Sequence, residues 1–173
     1  MIEQPDGAVA FPKMYNGRSF RSPIEAQWAQ FFDSVDWNWT YELTKVPIPG
    51  GVVVPDFDLP HFGVFFEVKT QWTANELERY FACAAASGKP LFTGGPNGFI
   101  GLVDHEKRYI HAAWVGFCVE CGQWVLEADD RRHQGTRCKV WPMHMVGTVS
   151  PWPDMLAHDL DLWARWHGKA HPK

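Results

Sequence analysis

Between Val64 and Lys69 the chain reads VFFEVK, a run that is apolar on both faces of an extended strand. Side chains alternate sides along a strand, so such a run needs cover above and below and belongs near the centre of a sheet. The preceding stretch, VVVPDFDL from Val52 to Leu59, reads as its hairpin partner, with Pro55 marking an edge or a bulge and Pro60, His61 and Gly63 forming the turn.

The elements around this hairpin follow from capping and periodicity. Ser22, Pro23 and Glu25 have the types and spacing of a helix start with a capping box. Ile24, Trp28, Phe31, Phe32 and Val35 then make an apolar stripe, so a helix is expected from Pro23 to Val35. Trp37 to Leu43 alternates and is expected as a strand that places Trp37, Trp39, Tyr41 and Leu43 on one face, and PIPGG at 47–51 as a loop. A second helix is expected over 75–86 with Gly88 as its stop, then strands at 90–93, 99–103 and 108–117, the first ending in the turn GGPNG. Residues 1–20 show no period and read as a loose arm carrying Lys13 and Arg18, with Arg21 just beyond. Helix, three strands, helix, strand implies an α/β (α+β) fold with a mixed central sheet. With 173 residues, 46% of them hydrophobic and 15% aromatic, the chain suits one compact domain with a small appended module. The expected division is a core over 1–115, a cysteine-rich module over 116–148, and a C-terminal segment over 149–173 in which Leu156, Leu160 and Trp163 share one side of a helix.

Charge narrows the function. The formal net charge is −4, whereas a protein holding nucleic acid by bulk charge alone is usually basic. Any such contact must come from a local basic patch or a bound metal. The N-terminal stretch has no apolar leader core and no run is long enough to span a membrane, so the expected location is cytoplasmic with no membrane partner.

The hairpin carries the chemistry. A turn centred between His61 and Phe62 pairs residues whose numbers sum to 123, so Asp56 faces Glu67 with Cβ atoms about 4.5–5.5 Å apart. Lys69, two residues on, points to the same face, while Asp58 falls opposite Phe65, nearer the hairpin tip. Two close carboxylates repel unless a positive charge lies between them. A divalent cation with oxygen ligands, Mg²⁺ or Mn²⁺, resolves this. Such an ion can activate water and neutralise a phosphorane-like transition state, with Lys69 positioning the water or stabilising the developing charge.

PD, ten residues, then ExK resembles the signature of the PD-(D/E)xK nuclease superfamily, and the expected element order resembles its αβββαβ restriction-endonuclease-like core. FRSPIEAQWAQFF followed by YEL, PDF and EVK is similar to small phage and bacterial nuclease-like proteins over roughly the first 100 residues. The resemblance implies that Asp56, Glu67 and the backbone carbonyl of Val68 bind Mg²⁺, that Lys69 is catalytic, that Glu25 can join them from the first helix, and that DNA is cut to 5′-phosphate and 3′-hydroxyl ends. Glu25 is equally explained by its capping role. Some members carry Q-x-x-x-Y on the following helix; here ELERY has Tyr80, but Glu76 stands in the glutamine's place, and Gln71 has the wrong spacing. Two such sites in a homodimer are a common way to cut two strands.

Cys118 and Cys121 form a C-x-x-C, and Cys138 with His133 completes C-x2-C-x11-H-x4-C, a normal Cys₃His shell for a structural Zn²⁺, with His144 the competing histidine. Arg131, Arg132 and Arg137 in this module, with Arg18 and Arg21, are candidate phosphate contacts. Two other readings stand beside a nuclease: a non-catalytic nucleic-acid-binding protein on a nuclease-like core, and a phage–host interaction protein whose 10 tryptophans supply contacts.

Overall fold

The computed structural model describes residues 13–96, 98–118 and 123–128. Ser22, extended at φ −133° and ψ 156°, caps helix α1 (Pro23–Ser34) by accepting the Glu25 N–H at 3.2 Å. The Glu25 carboxylate does not return the bond to the Ser22 backbone as a capping box would. It accepts the Ser22 hydroxyl at 2.8 Å and the Arg21 N–H at 3.1 Å. Thr73 caps helix α2 (Ala74–Ser87) with a complete capping box to Glu76, and Gly88 ends it in the left-handed region at φ 65°, as expected of a glycine just past a helix.

The strands are β1 (Lys13–Tyr15), β2 (Arg18–Phe20), β3 (Thr40–Tyr41), β4 (Val46–Ile48), β5 (Gly51–Val53), β6 (Phe57–Leu59), β7 (Val64–Val68), β8 (Leu91–Gly94), β9 (Ile100–Asp104), β10 (Tyr109–Cys118) and β11 (Gln123–Ala128). Seven of them form one sheet in the order β11-β10-β9-β8-β7-β6-β3. Within it only β7 and β8 run parallel, joined by α2 as the crossover, so the sheet is mixed and β7 is interior as its sequence requires. The hairpin register is also as expected: Phe57, Asp58 and Leu59 lie opposite Phe66, Phe65 and Val64.

Three local expectations are corrected. The arm before the first helix contains a hairpin, β1–β2, turning at Asn16 (φ 47°) and Gly17 (φ 75°); an Asn-Gly pair with both residues at positive φ suits a type I′ turn. The alternating stretch 37–43 yields only the two-residue β3, because Asp36 (φ 58°) and Glu42 (φ 49°) turn the chain at either end. Leu43 is consequently exposed, while Trp37 is buried beside α1. The single strand expected over 52–59 is two: β5 pairs with β4, so that Pro47, Ile48 and Gly51 of the expected PIPGG loop lie in strands, and β6 starts only after Pro55. Proline has no N–H to continue a ladder.

Alternation along β7 sends Val64 and Phe66 into a core with Trp28, Phe31 and Phe32 of α1, and Phe65 into a second core with Phe81 of α2 and Val46, Ile48 and Val53 of the β4–β5 hairpin. The helices therefore cover opposite faces of the sheet. Trp28 meets Phe66 at a centroid distance of 4.7 Å, and Phe32 meets Phe66 edge-on at 5.2 Å. Gly94 in β8 makes room for this cluster, since a Cβ there would stand 2.5 Å from both the Trp28 and Phe66 rings. We expect Gly94→Ala to destabilise the fold by about 1–3 kcal/mol through overpacking, measured by urea denaturation; a change below about 0.5 kcal/mol would mean that the rings have space to move aside.

Candidate metal and catalytic centre

The site lies where the β6 ladder stops. Val68 directs its N–H and C=O toward the β6 edge, the side opposite β8, and its N–H donates to Asp56 Oδ2 at 2.8 Å. Asp56 donates its own N–H to Glu67 Oε2 at 3.1 Å. Each carboxylate thus takes a backbone donor that the interrupted ladder leaves unpaired. Both are deeply buried, Asp56 at 1% and Glu67 at 2% exposure.

The other oxygens meet side chains. Asp56 Oδ1 accepts from Arg21 Nη2, and Glu67 Oε1 accepts from the Tyr80 hydroxyl of α2. Lys69, just past β7, lies 3.5 Å from Glu67 Oε1 and 3.1 Å from Glu76 Oε1, with its ammonium 5.9 Å from the Trp72 ring centre and 5.7 Å from that of Tyr80. Arg21 also reaches Glu42 Oε1 at 2.7 Å and approaches Glu25 Oε2 at 4.0 Å. Tyr41 donates its hydroxyl to Glu25 Oε2 at 2.5 Å. The structure therefore brings Asp56, Glu67, Lys69 and Glu25 into one neighbourhood. Arg21, expected as a phosphate contact, has its guanidinium against the carboxylates, and Arg18 lies over Trp39, whose ring neighbours Phe20. Cys118 ends β10, which runs unbroken through 115 and 116 in the central sheet. Cys121, His133, Cys138, Arg131, Arg132, Arg137 and the expected C-terminal helix lie outside the described residues.

Sequence reading missed Arg21 as the cation of the cluster, and Tyr41 and Glu42 as its neighbours. Tyr80 was visible only through an imperfect motif. The available signal was spacing on α2: Glu76 and Tyr80 stand four apart and so share a helix face, and Glu67 and Lys69 share a strand face opposite it.

Electrostatics give the cluster its character. Burial, followed by the charges of Glu67 and Glu25, holds the Asp56 carboxyl well above the ordinary carboxylate range, against Arg21 and the Val68 N–H. Burial raises Glu67 too, opposed by the Tyr80 hydroxyl, Lys69 and the Asp56 N–H. Glu76, whose partial burial acts the other way, is brought down to about 2 by the Thr73 backbone and hydroxyl and by Lys69. Lys69 is raised: burial works against its charge, but Glu67 and Glu76 outweigh it. Counting the described residues, five carboxylates (Glu25, Glu42, Asp56, Glu67 and Glu76) face two cations, Arg21 and Lys69. Among the described residues no three carboxylate, imidazole or thiol groups are gathered at metal-ligating distance. The donor set nevertheless fits a hard divalent ion, being all oxygen, buried and short of positive charge, and Arg21 stands as a cation against both Glu25 and Asp56.

Carboxyls raised in the folded state contribute stability that is present below their unfolded values and lost as pH rises through their folded ones. Without added Mg²⁺ or Mn²⁺ the protein should therefore be less stable at pH 8 than at pH 5, and Arg21→Ala should widen the difference. Arg21 is 42% exposed, so screening reduces the cost from the roughly 3–5 kcal/mol of a fully buried pair to about 1–2 kcal/mol at pH 8. Urea unfolding at both pH values checks this, and an Arg21→Ala penalty that is equal at pH 5 and pH 8 would refute it. No family model, curated protein or solved structure matches the chain.

Proposed function

We propose that the chain is a divalent-metal-dependent nuclease that hydrolyses DNA phosphodiester bonds, on a restriction-endonuclease-like core. The observation that carries this is the meeting of buried Asp56 and Glu67 with Lys69 in a cluster short of positive charge. Asp56, Glu67 and the Val68 carbonyl would hold the ion, with Glu25 beside them. Bound there, Mg²⁺ or Mn²⁺ supplies Lewis acidity to a phosphoryl oxygen and lowers the pKa of water.

The chain's own residues supply the rest. Lys69 is pinned between Glu67 and Glu76 and stays charged, so its ammonium is in place for negative charge developing on a phosphoryl oxygen. Tyr80 and the backbone N–H groups of Asp56 and Val68 fix the carboxylates so that they need not reorganise during reaction. Arg21 can pass from Asp56 to a substrate phosphate, since its side chain is half-exposed and comes from the segment between β2 and α1. Its present contact with Asp56 also favours a second reading, a non-catalytic core in which the guanidinium takes the ion's place.

Purified protein on plasmid and on linear single-stranded DNA should cut with Mg²⁺ or Mn²⁺ and not with EDTA. Glu67→Ala should fall to background, and Lys69→Ala should lose about 10²–10³-fold. Full metal-dependent cleavage by both Asp56→Ala and Lys69→Ala would sink the assignment. Absence of cleavage in every metal, with DNA binding retained, would select the second reading. We further propose a structural Zn²⁺ held by Cys118, Cys121, Cys138 and His133 or His144. Elemental analysis should give one zinc per chain, lost in Cys118→Ser.

A further inference from the structure

A cavity of about 270 Å³ opens at the C-terminal end of α1, lined by Asn16, Arg18, Asp33, Trp37, Asn38 and Trp39. It lies just under the ~300–1,000 Å³ of sites for drug-sized ligands, so its capacity suits one flat heteroaromatic group.

Its walls are built for such a group. The Trp39 indole is held by a hydrogen bond from Nε1 to Asp33 Oδ1 at 2.7 Å, and Asp33 is fixed by the Tyr15 hydroxyl on Oδ2 at 2.8 Å. Arg18 lies over the Trp39 ring at 5.2 Å, so a planar guanidinium and an indole form one platform. Among the described residues Arg18 makes no ion pair and the side-chain amides of Asn16 and Asn38 have no hydrogen-bond partner. A cation and two amides thus remain free for an anion and for the polar edges of a base, while the platform takes a base's π-face.

The position ties the cavity to the carboxylate cluster. Phe20 touches both Trp39, at 6.0 Å, and Tyr41, at 4.7 Å, and the Tyr41 hydroxyl binds Glu25. One strand repeat, roughly 7 Å between alternate residues, separates Trp39 from Tyr41. Arg18 serves the cavity and Arg21 the cluster, three residues apart in one segment.

We propose that this cavity binds an unpaired base of a nucleic-acid strand whose neighbouring phosphate lies at the carboxylate cluster, which makes single-stranded nucleic acid, or the unpaired end of a duplex, the substrate class. The role of the bound strand rests on the nuclease reading; the binding itself does not. The test is fluorescence anisotropy without added Mg²⁺ or Mn²⁺, with a labelled 12-nucleotide single strand, the matching blunt duplex, and a free mononucleotide as competitor. The single strand should bind at least about tenfold more tightly than the duplex. Trp39→Ala should weaken it about tenfold and Trp39→Phe much less, in the range of one stacked base. Arg18→Ala should weaken it and lower the salt dependence by about one phosphate contact. Moving a single abasic position along the strand should reduce affinity at one place only. Equal affinity for duplex and single strand would overturn the proposal. So would binding unchanged in both Arg18→Ala and Trp39→Ala, or a mononucleotide that competes as well as the strand. If Trp39→Ala fails to fold, Arg18→Ala and Asn38→Ala, both on exposed side chains, decide the matter. Strand binding that behaves as expected without cleavage in any metal would leave the cavity assignment standing and remove the nuclease reading alone.

Discussion

Much of this structure depends on the interruption of a hydrogen-bond ladder at Pro55. Without an N–H, proline cannot carry β6 backward along β7, and the edge of an interior strand is left with a backbone donor at Val68 that needs an acceptor away from water. The Asp56 carboxylate supplies one, and Glu67 takes the Asp56 N–H in turn. This exchange closes the break but buries two acids side by side, which is tolerable only with compensating donors and charges. Arg21 arrives from the segment before α1, Lys69 from the end of β7, and Tyr80 from α2. Both helices are therefore committed to the same few atoms, from opposite faces of the sheet.

The two compensating cations are held differently, and that difference gives the cluster a direction. Lys69 is confined by Glu67, by Glu76 and by the rings of Trp72 and Tyr80. Glu76 is itself locked by the Thr73 capping box, so the start of α2 positions the lysine. Arg21 is held by Asp56 and Glu42, and its long side chain stands half in solvent. A ligand with more charge than a guanidinium can displace Arg21 more readily than Lys69. The unequal grip suits a site in which one cation stays with the reacting group and the other yields its place.

The sequence made some of this legible and hid the rest for identifiable reasons. The β6–β7 register could be read because a short turn and a period of two leave little freedom, and the opposition of Phe57 with Phe66 follows directly. Two helix ends were legible, from Ser22 and Gly88, whose roles are local. Strand extent was not, because Pro55 splits the run from Val52 to Leu59 into β5 and β6 and Glu42 adopts positive φ without a glycine to announce it. The β1–β2 hairpin carried its signal in Asn16-Gly17, but its strands are three residues each and show no period. The contact of Arg21 with Asp56 was hidden because a surface arginine and an arginine facing buried acids read alike until the chain is folded.

That small hairpin connects the two functional regions. Phe20, at the end of β2, is buried against Tyr41, Phe57 and Trp39, which fixes where the next residue, Arg21, leaves the core. Three residues back, Arg18 begins β2 and is set over Trp39 by the pairing of Tyr15 with Arg18 across the Asn16-Gly17 turn. A shift of one residue in this pairing would turn Phe20 away from its aromatic neighbours and move both arginines from their present partners. The turn geometry thus governs the charge balance at Asp56 and the platform at Trp39 together, although neither Asn16 nor Gly17 approaches the carboxylates. The arm that read as loose in the sequence is what sets the guanidinium of Arg21 against an acidic protein's most buried charges.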